Sequence, residues 1–63
     1  MSQTDKILAH LKRWGSIEAM TAMELYGCFR LAARINDLRR AGFCIVTERV
    51  EKKGKTFARY RLL

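Results

Sequence analysis

Between Gly27 and Gly42, Leu31, Ile35 and Leu38 fall at i, i+4 and i+7, the spacing that lines three large aliphatic side chains along one stripe of an α-helix. A chain of 63 residues has room for one small core, so that stripe must face it. Ala33, Asn36, Asp37 and Arg40 then point away from the core, with Arg30 and Arg34 on one flank and Arg39 on the other. The outward side of the helix is therefore mostly basic. Gly42 follows the last apolar turn, where a left-handed residue closes a helix without a Cβ clash, and Arg39 and Arg40 suit the negative end of the helix dipole. The start is placed within a residue or two of Phe29, because Gly27 breaks the preceding segment and neither Cys28 nor Phe29 is a good cap.

The rest of the chain is read around this helix. Ser2 and Asp5 form an S-x-x-D capping box ahead of a first helix that carries Ile7, Leu8, Leu11 and Trp14 on its buried stripe and stops at Gly15. Ser16 and Ile17 are too few for an independent strand but suit a short extra one at the edge of a later hairpin. Glu18 to Tyr26 reads as a short helix, with Thr21 as its cap and Met20, Met23 and Tyr26 as core filling. A short helix, a tight turn at Gly27-Cys28 and a longer basic helix form the order of a helix-turn-helix, in which the first helix braces the second against DNA. After Gly42 the period becomes two. Phe43–Val50 and Thr56–Leu62 read as antiparallel strands joined by the turn Glu51-Lys52-Lys53-Gly54-Lys55. Ala58, Tyr60 and Leu62 are expected to face the helices, leaving Arg59 and Arg61 on the solvent side with Thr47 and Arg49 opposite them.

Thirteen Lys and Arg against six Asp and Glu give a formal net charge of +7, an imbalance that favours a polyanion as partner, nucleic acid before an acidic protein surface. An apolar fraction of 49% argues against disorder at this charge. No apolar run is long enough to span a bilayer and no signal peptide leads the chain, so no membrane partner and a cytoplasmic location are expected. Cys28 and Cys44 are then expected to be reduced, as two small buried hydrophobes; with His10, read as a helix-surface residue, they lack a close pair to start a metal site. The carboxylates Asp5, Glu18, Glu24, Asp37, Glu48 and Glu51 are dispersed, and no nucleophile has a visible base and orienting partner. Neither an enzyme nor a cofactor is expected.

A single α+β domain of three helices followed by a hairpin, basic at both the third helix and the hairpin tip, resembles the winged helix-turn-helix family, in particular its small stand-alone phage and prophage members. The likeness spans essentially the whole chain and is most specific over Arg30–Gly42, Ile45, Lys53-Gly54-Lys55 and Phe57–Leu62. It implies a DNA-binding regulator or an architectural, excisionase-like factor, with a recognition helix from about Phe29 to Ala41 in the major groove. Arg30, Ala33, Arg34, Asp37 and Arg40 would occupy its groove-facing turns, and Lys52, Lys53 and Lys55 the wing tip. On physical grounds Arg30 and Arg34 are the best base readers, because a guanidinium can bond guanine O6 and N7 together. Thr21, the wing lysines, Arg59 and Arg61 suit phosphates. An ion pair between Arg34 and Asp37 at i+3 is the alternative for those two residues. The alternative for the whole domain is a protein-interaction module that uses the same fold to bind and modulate a host or phage protein. Either monomer or homodimer is compatible with the sequence.

Overall fold

The computed structural model describes residues 2–63. Helix α1 (Gln3–Trp14) starts where the Ser2 hydroxyl accepts a hydrogen bond from the Asp5 N–H at 3.2 Å, and it ends at Gly15, whose φ of 88° lets its N–H turn back to the Leu11 carbonyl. Ile7 and Leu11 are fully buried, as their spacing requires. Two expectations about this helix are corrected. Trp14 is 64% exposed, because it is the last helical residue and no further element covers it; the Arg13 guanidinium lies 5.1 Å from its ring instead. His10 takes the buried place, and can do so because the Tyr26 hydroxyl lies 2.8 Å from its Nδ1.

Burial pushes the His10 pKa below its ordinary value of 6.5, only partly offset by a hydrogen bond with the Ser16 backbone. The folded state thus favours the neutral ring, whereas the unfolded chain takes up a proton as the pH falls through about 6.5. Stability is present in full above that pH and should decline as the pH drops toward the lowered folded-state pKa. A thermal melt series from pH 8 to pH 5 should show Tm falling below pH 6.5, and His10→Gln should flatten that decline.

Strand β1 (Ser16–Glu18) leads into helix α2 (Ala19–Tyr26), which follows without a side-chain cap: Glu18 holds the N-cap position, and Thr21, expected to cap, lies inside the first turn. Ala22 is the buried residue of α2, and Tyr26, one turn on, packs against the core. Met20 and Met23 lie off that Ala22–Tyr26 stripe and are 62% and 41% exposed, so they do not fill the core as expected. Gly27, at φ 64°, ends α2, and the next N–H, from Cys28, reaches back to the Ala22 carbonyl at 3.2 Å. Cys28 is buried beneath this turn, whereas Cys44, also expected inside, is exposed.

Helix α3 (Leu31–Arg40) buries Leu31, Ile35 and Leu38. It starts within two residues of Phe29, as expected: Arg30 is the N-cap, and Phe29 just before it is 83% exposed. Its end is a Schellman turn, with the Phe43 N–H donating to Leu38 O, the Gly42 N–H to Arg39 O, and Phe43 packed against the core beyond it.

Strands β2 (Ile45–Lys52) and β3 (Lys55–Leu62) form the hairpin, and the three-stranded sheet has the order β1-β3-β2, both pairings antiparallel. The short extra strand therefore pairs as expected, Ser16–Glu18 lying against Arg59–Arg61. The turn is tighter than expected, with only Lys53 (φ 52°) and Gly54 (φ 77°) outside the strands, the two successive positive φ values of a two-residue hairpin loop. This changes the facing of β2. Thr47 is opposite Tyr60 and Arg49 opposite Ala58, on the same face as the helices, and not beside Arg59 and Arg61. Ile17, Ile45 and the helix stripes close the core between that face and α1, α2 and α3. Among the described residues no helix is long and apolar enough to cross a membrane.

Candidate nucleic-acid interface

With Leu31, Ile35 and Leu38 buried, helical geometry aims Ala33 and Arg40 directly away from the core, with Asn36 to the sheet side of that line and Asp37 to the other. Ala32 and Arg39 occupy the flank toward the sheet, Arg34 and Asp37 the opposite flank. A groove of about 660 Å³ runs between α3 and β3, with Arg30, Ala32, Ala33 and Asn36 on one side and Ala58 and Tyr60 on the other. Arg39 sets the angle between its walls. Its Nε and Nη2 donate to the Ile45 carbonyl at 3.0 and 2.8 Å, and Nη2 also donates to Thr47 Oγ1 at 3.0 Å. A guanidinium fork on one carbonyl and one hydroxyl fixes orientation as well as distance, so α3 and the hairpin are tied as one unit. From the sequence, Arg39 suggested only a partner for the helix dipole.

The other nominated residues fall into distinct groups. Arg30 holds the N-cap of α3 with its side chain making no capping bond, and Arg40 is exposed at the other end. Arg34 Nε lies 3.1 Å from Asp37 Oδ2, the i+3 ion pair weighed from the sequence. This Nε is buried without a hydrogen-bond partner, so the contact is one of charge proximity. It offsets the Asp37 carboxylate, which would otherwise repel a polyanion, and leaves Arg34 less free to reach one. Ala33 is half-buried at the groove, and Thr21 is half-buried in the first turn of α2.

Lys53 sits at the hairpin tip, with Lys52 and Lys55 paired beside it on the sheet face away from the helices. Arg59 and Arg61 share that far face and meet glutamates there, Arg59 with Glu18 at 3.2 Å and Arg61 with Glu48 at 3.1 Å. The structure therefore does not bring them to the α3 side. These pairs are partly exposed, a class worth about 0.2–1 kcal/mol, but they also cancel charge. Among the described residues, Arg30, Arg40, Arg49, Lys52, Lys53 and Lys55 enter no ion pair, while Glu18, Asp37 and Glu48 are each matched to an arginine. The uncompensated cations of the hairpin and α3 thus flank the groove and the hairpin tip.

Two residues of this surface do not stand out from the sequence, Asn36 in the groove and Arg49 on the helix-facing side of β2. Asn36 points outward on the helical wheel, but an uncharged residue has nothing in its sequence context to mark it out among the arginines. Arg49 was assigned to the wrong face by the register. Lys53-Gly54, read as a two-residue loop, was the signal that would have corrected it.

Compared with known families, residues 2–63 match the one described as winged helix-turn-helix domain. No curated protein and no solved structure matches the chain.

Proposed function

The chain belongs to the winged helix-turn-helix domain family, and from that premise we propose that it binds double-stranded DNA as a single domain, α3 entering the major groove and the Lys53-Gly54 turn meeting the adjoining backbone or minor groove. The observation that carries this reading is the placement of unpaired cations at both ends of α3, on the groove-facing side of β2 and around the hairpin tip, while the arginines of the far sheet face are neutralised. Arg30, Ala33 and Arg40 occupy the groove-facing turns, with Arg34 and Asp37 at their side as a mutually offset pair. Lys52, Lys53, Lys55 and Thr21 take phosphates. The chain acts by occupying its site, without a reaction of its own, as a transcriptional regulator of the phage or prophage kind or as an architectural factor in the cytoplasm.

Titration of a labelled duplex across a salt series tests this. Several lysine and arginine contacts with phosphates should make log K fall linearly with log salt, with a slope of roughly −4.5 to −6.3 if five to seven phosphates are neutralised. Absence of binding, or binding without salt dependence, would refute it. A second reading has one observation in its favour. Exposed Met20 and half-buried Phe57 line a groove rimmed by Lys52, Lys53 and Lys55, a surface that suits an acidic protein segment. Retention of a protein partner from nuclease-treated lysate, together with no DNA shift at physiological salt, would favour it.

A further inference from the structure

Resting on the DNA-binding reading, we propose that the middle of α3 reads an A·T step, with Asn36 bonded to adenine and Ala32 and Ala33 set against thymine methyl groups. The arginines nearest the middle of the helix are engaged elsewhere. Arg34 lies against Asp37, and Arg39 commits Nε and Nη2 to Ile45 and Thr47. Recognition of guanine by arginine needs a free fork of donors on O6 and N7. The arginines free of such contacts, Arg30 and Arg40, stand at the two ends of α3, about 15 Å apart by helical rise. Between them Ala33 and Asn36 are uncharged, and the carboxylate of Asp37 is offset by Arg34.

Asn36 is exposed on the groove and makes no hydrogen bond among the described residues. Its amide presents a donor and an acceptor side by side, which matches the N7 acceptor and N6–H donor of adenine together. Guanine offers two acceptors at that edge, so the amide oxygen would face a lone pair. Asparagine is short, and it reaches a base edge only when the helix backbone comes close. Ala32 and Ala33, with Ala58 across the groove, are the small side chains that permit that approach. Their methyl groups bond no base, but they fit the thymine C5-methyl.

Selection from a random duplex pool, followed by base-analogue substitution in the selected site, tests the inference. The enriched site should hold an A·T pair at a fixed position. Replacing that adenine by 7-deazaadenine, which lacks the N7 acceptor, should weaken binding roughly tenfold, and replacing the adjoining thymine by uracil should weaken it by a smaller factor. Asn36→Ala keeps a good helix former at an exposed site. It should lose the same factor on the natural duplex and be indifferent to 7-deazaadenine, the coupling expected of a direct pair. Enrichment of G·C at that position, or equal affinity for adenine and 7-deazaadenine with the salt dependence intact, would overturn the A·T assignment and leave DNA binding standing. Failure to bind any duplex in a salt-dependent way would overturn both.

Discussion

Ile35→Ala is expected to cost this domain about 3 kcal/mol of stability, within the range of roughly 2–5 kcal/mol found when a buried aliphatic side chain is cut back to alanine. Ile35 is fully buried and stands between Leu31 and Leu38 on the stripe that seats α3. A chain of 63 residues has a total stability of only about 3–9 kcal/mol, so this single change removes a large share of it. Each kcal/mol moves Tm by about 4–8 °C in a domain of this size, and a thermal melt followed by circular dichroism should read a drop well above 10 °C. Ala32→Ser, three residues earlier in the same helix but on its exposed side, should stay within about 0.5 kcal/mol of the parent. A loss under about 1 kcal/mol for Ile35→Ala would mean that this stripe does not hold the helix.

That stripe was legible in the sequence because helical period leaves few choices: Leu31, Ile35 and Leu38 can share a face in no other regular structure, and Gly42 marks the end as a left-handed residue does. The edge strand at Ser16–Glu18 was legible for a related reason, since a β-branched Ile17 following a helix-ending glycine has few ways to be buried. What failed was the choice among residues that the period admits equally. His10 and Trp14 both border the Ile7–Leu11 stripe, and only the position of Tyr26, 16 residues beyond His10, decides that the imidazole goes in and the indole stays out. Met20 and Met23 looked like core on hydrophobicity, but Ala22 with Tyr26 sets the packed face of α2.

Register was the costliest ambiguity for the site. Sequence alternation shows which residues share a face but not which face turns inward, and a five-residue turn in place of a two-residue one moved Thr47 and Arg49 to the wrong side. Arg59 and Arg61 were read as free cations because their partners are far along the chain, Glu18 lying 41 residues before Arg59. The Arg34–Asp37 contact is local and was visible as an option; that Arg39 clamps β2 was not, since nothing in its own helix points to the Ile45 carbonyl.

The second large effect is expected at the hairpin tip, where Lys52→Ala, Lys53→Asn and Lys55→Ala combined should cut affinity for a DNA duplex by about two orders of magnitude at 0.1 M salt. Each phosphate contact removed takes roughly 0.9 from the slope of log K against log salt, so the slope should become shallower by two to three. Asparagine is chosen at Lys53 because the residue holds a φ of 52°, which asparagine tolerates and alanine does not, and because Asn-Gly is the favoured sequence for this loop. The variant should therefore melt no lower than the parent, which separates loss of contact from loss of fold. Arg30→Gln with Arg40→Gln changes the other end of the same surface and should flatten the slope by a further one to two on the same duplex. Measuring the salt slope of the parent and of both variants on one selected duplex asks whether α3 and the hairpin tip engage one nucleic acid together. Both variants flattening the slope is the expected result, and a parent slope left unchanged by either one would contradict it.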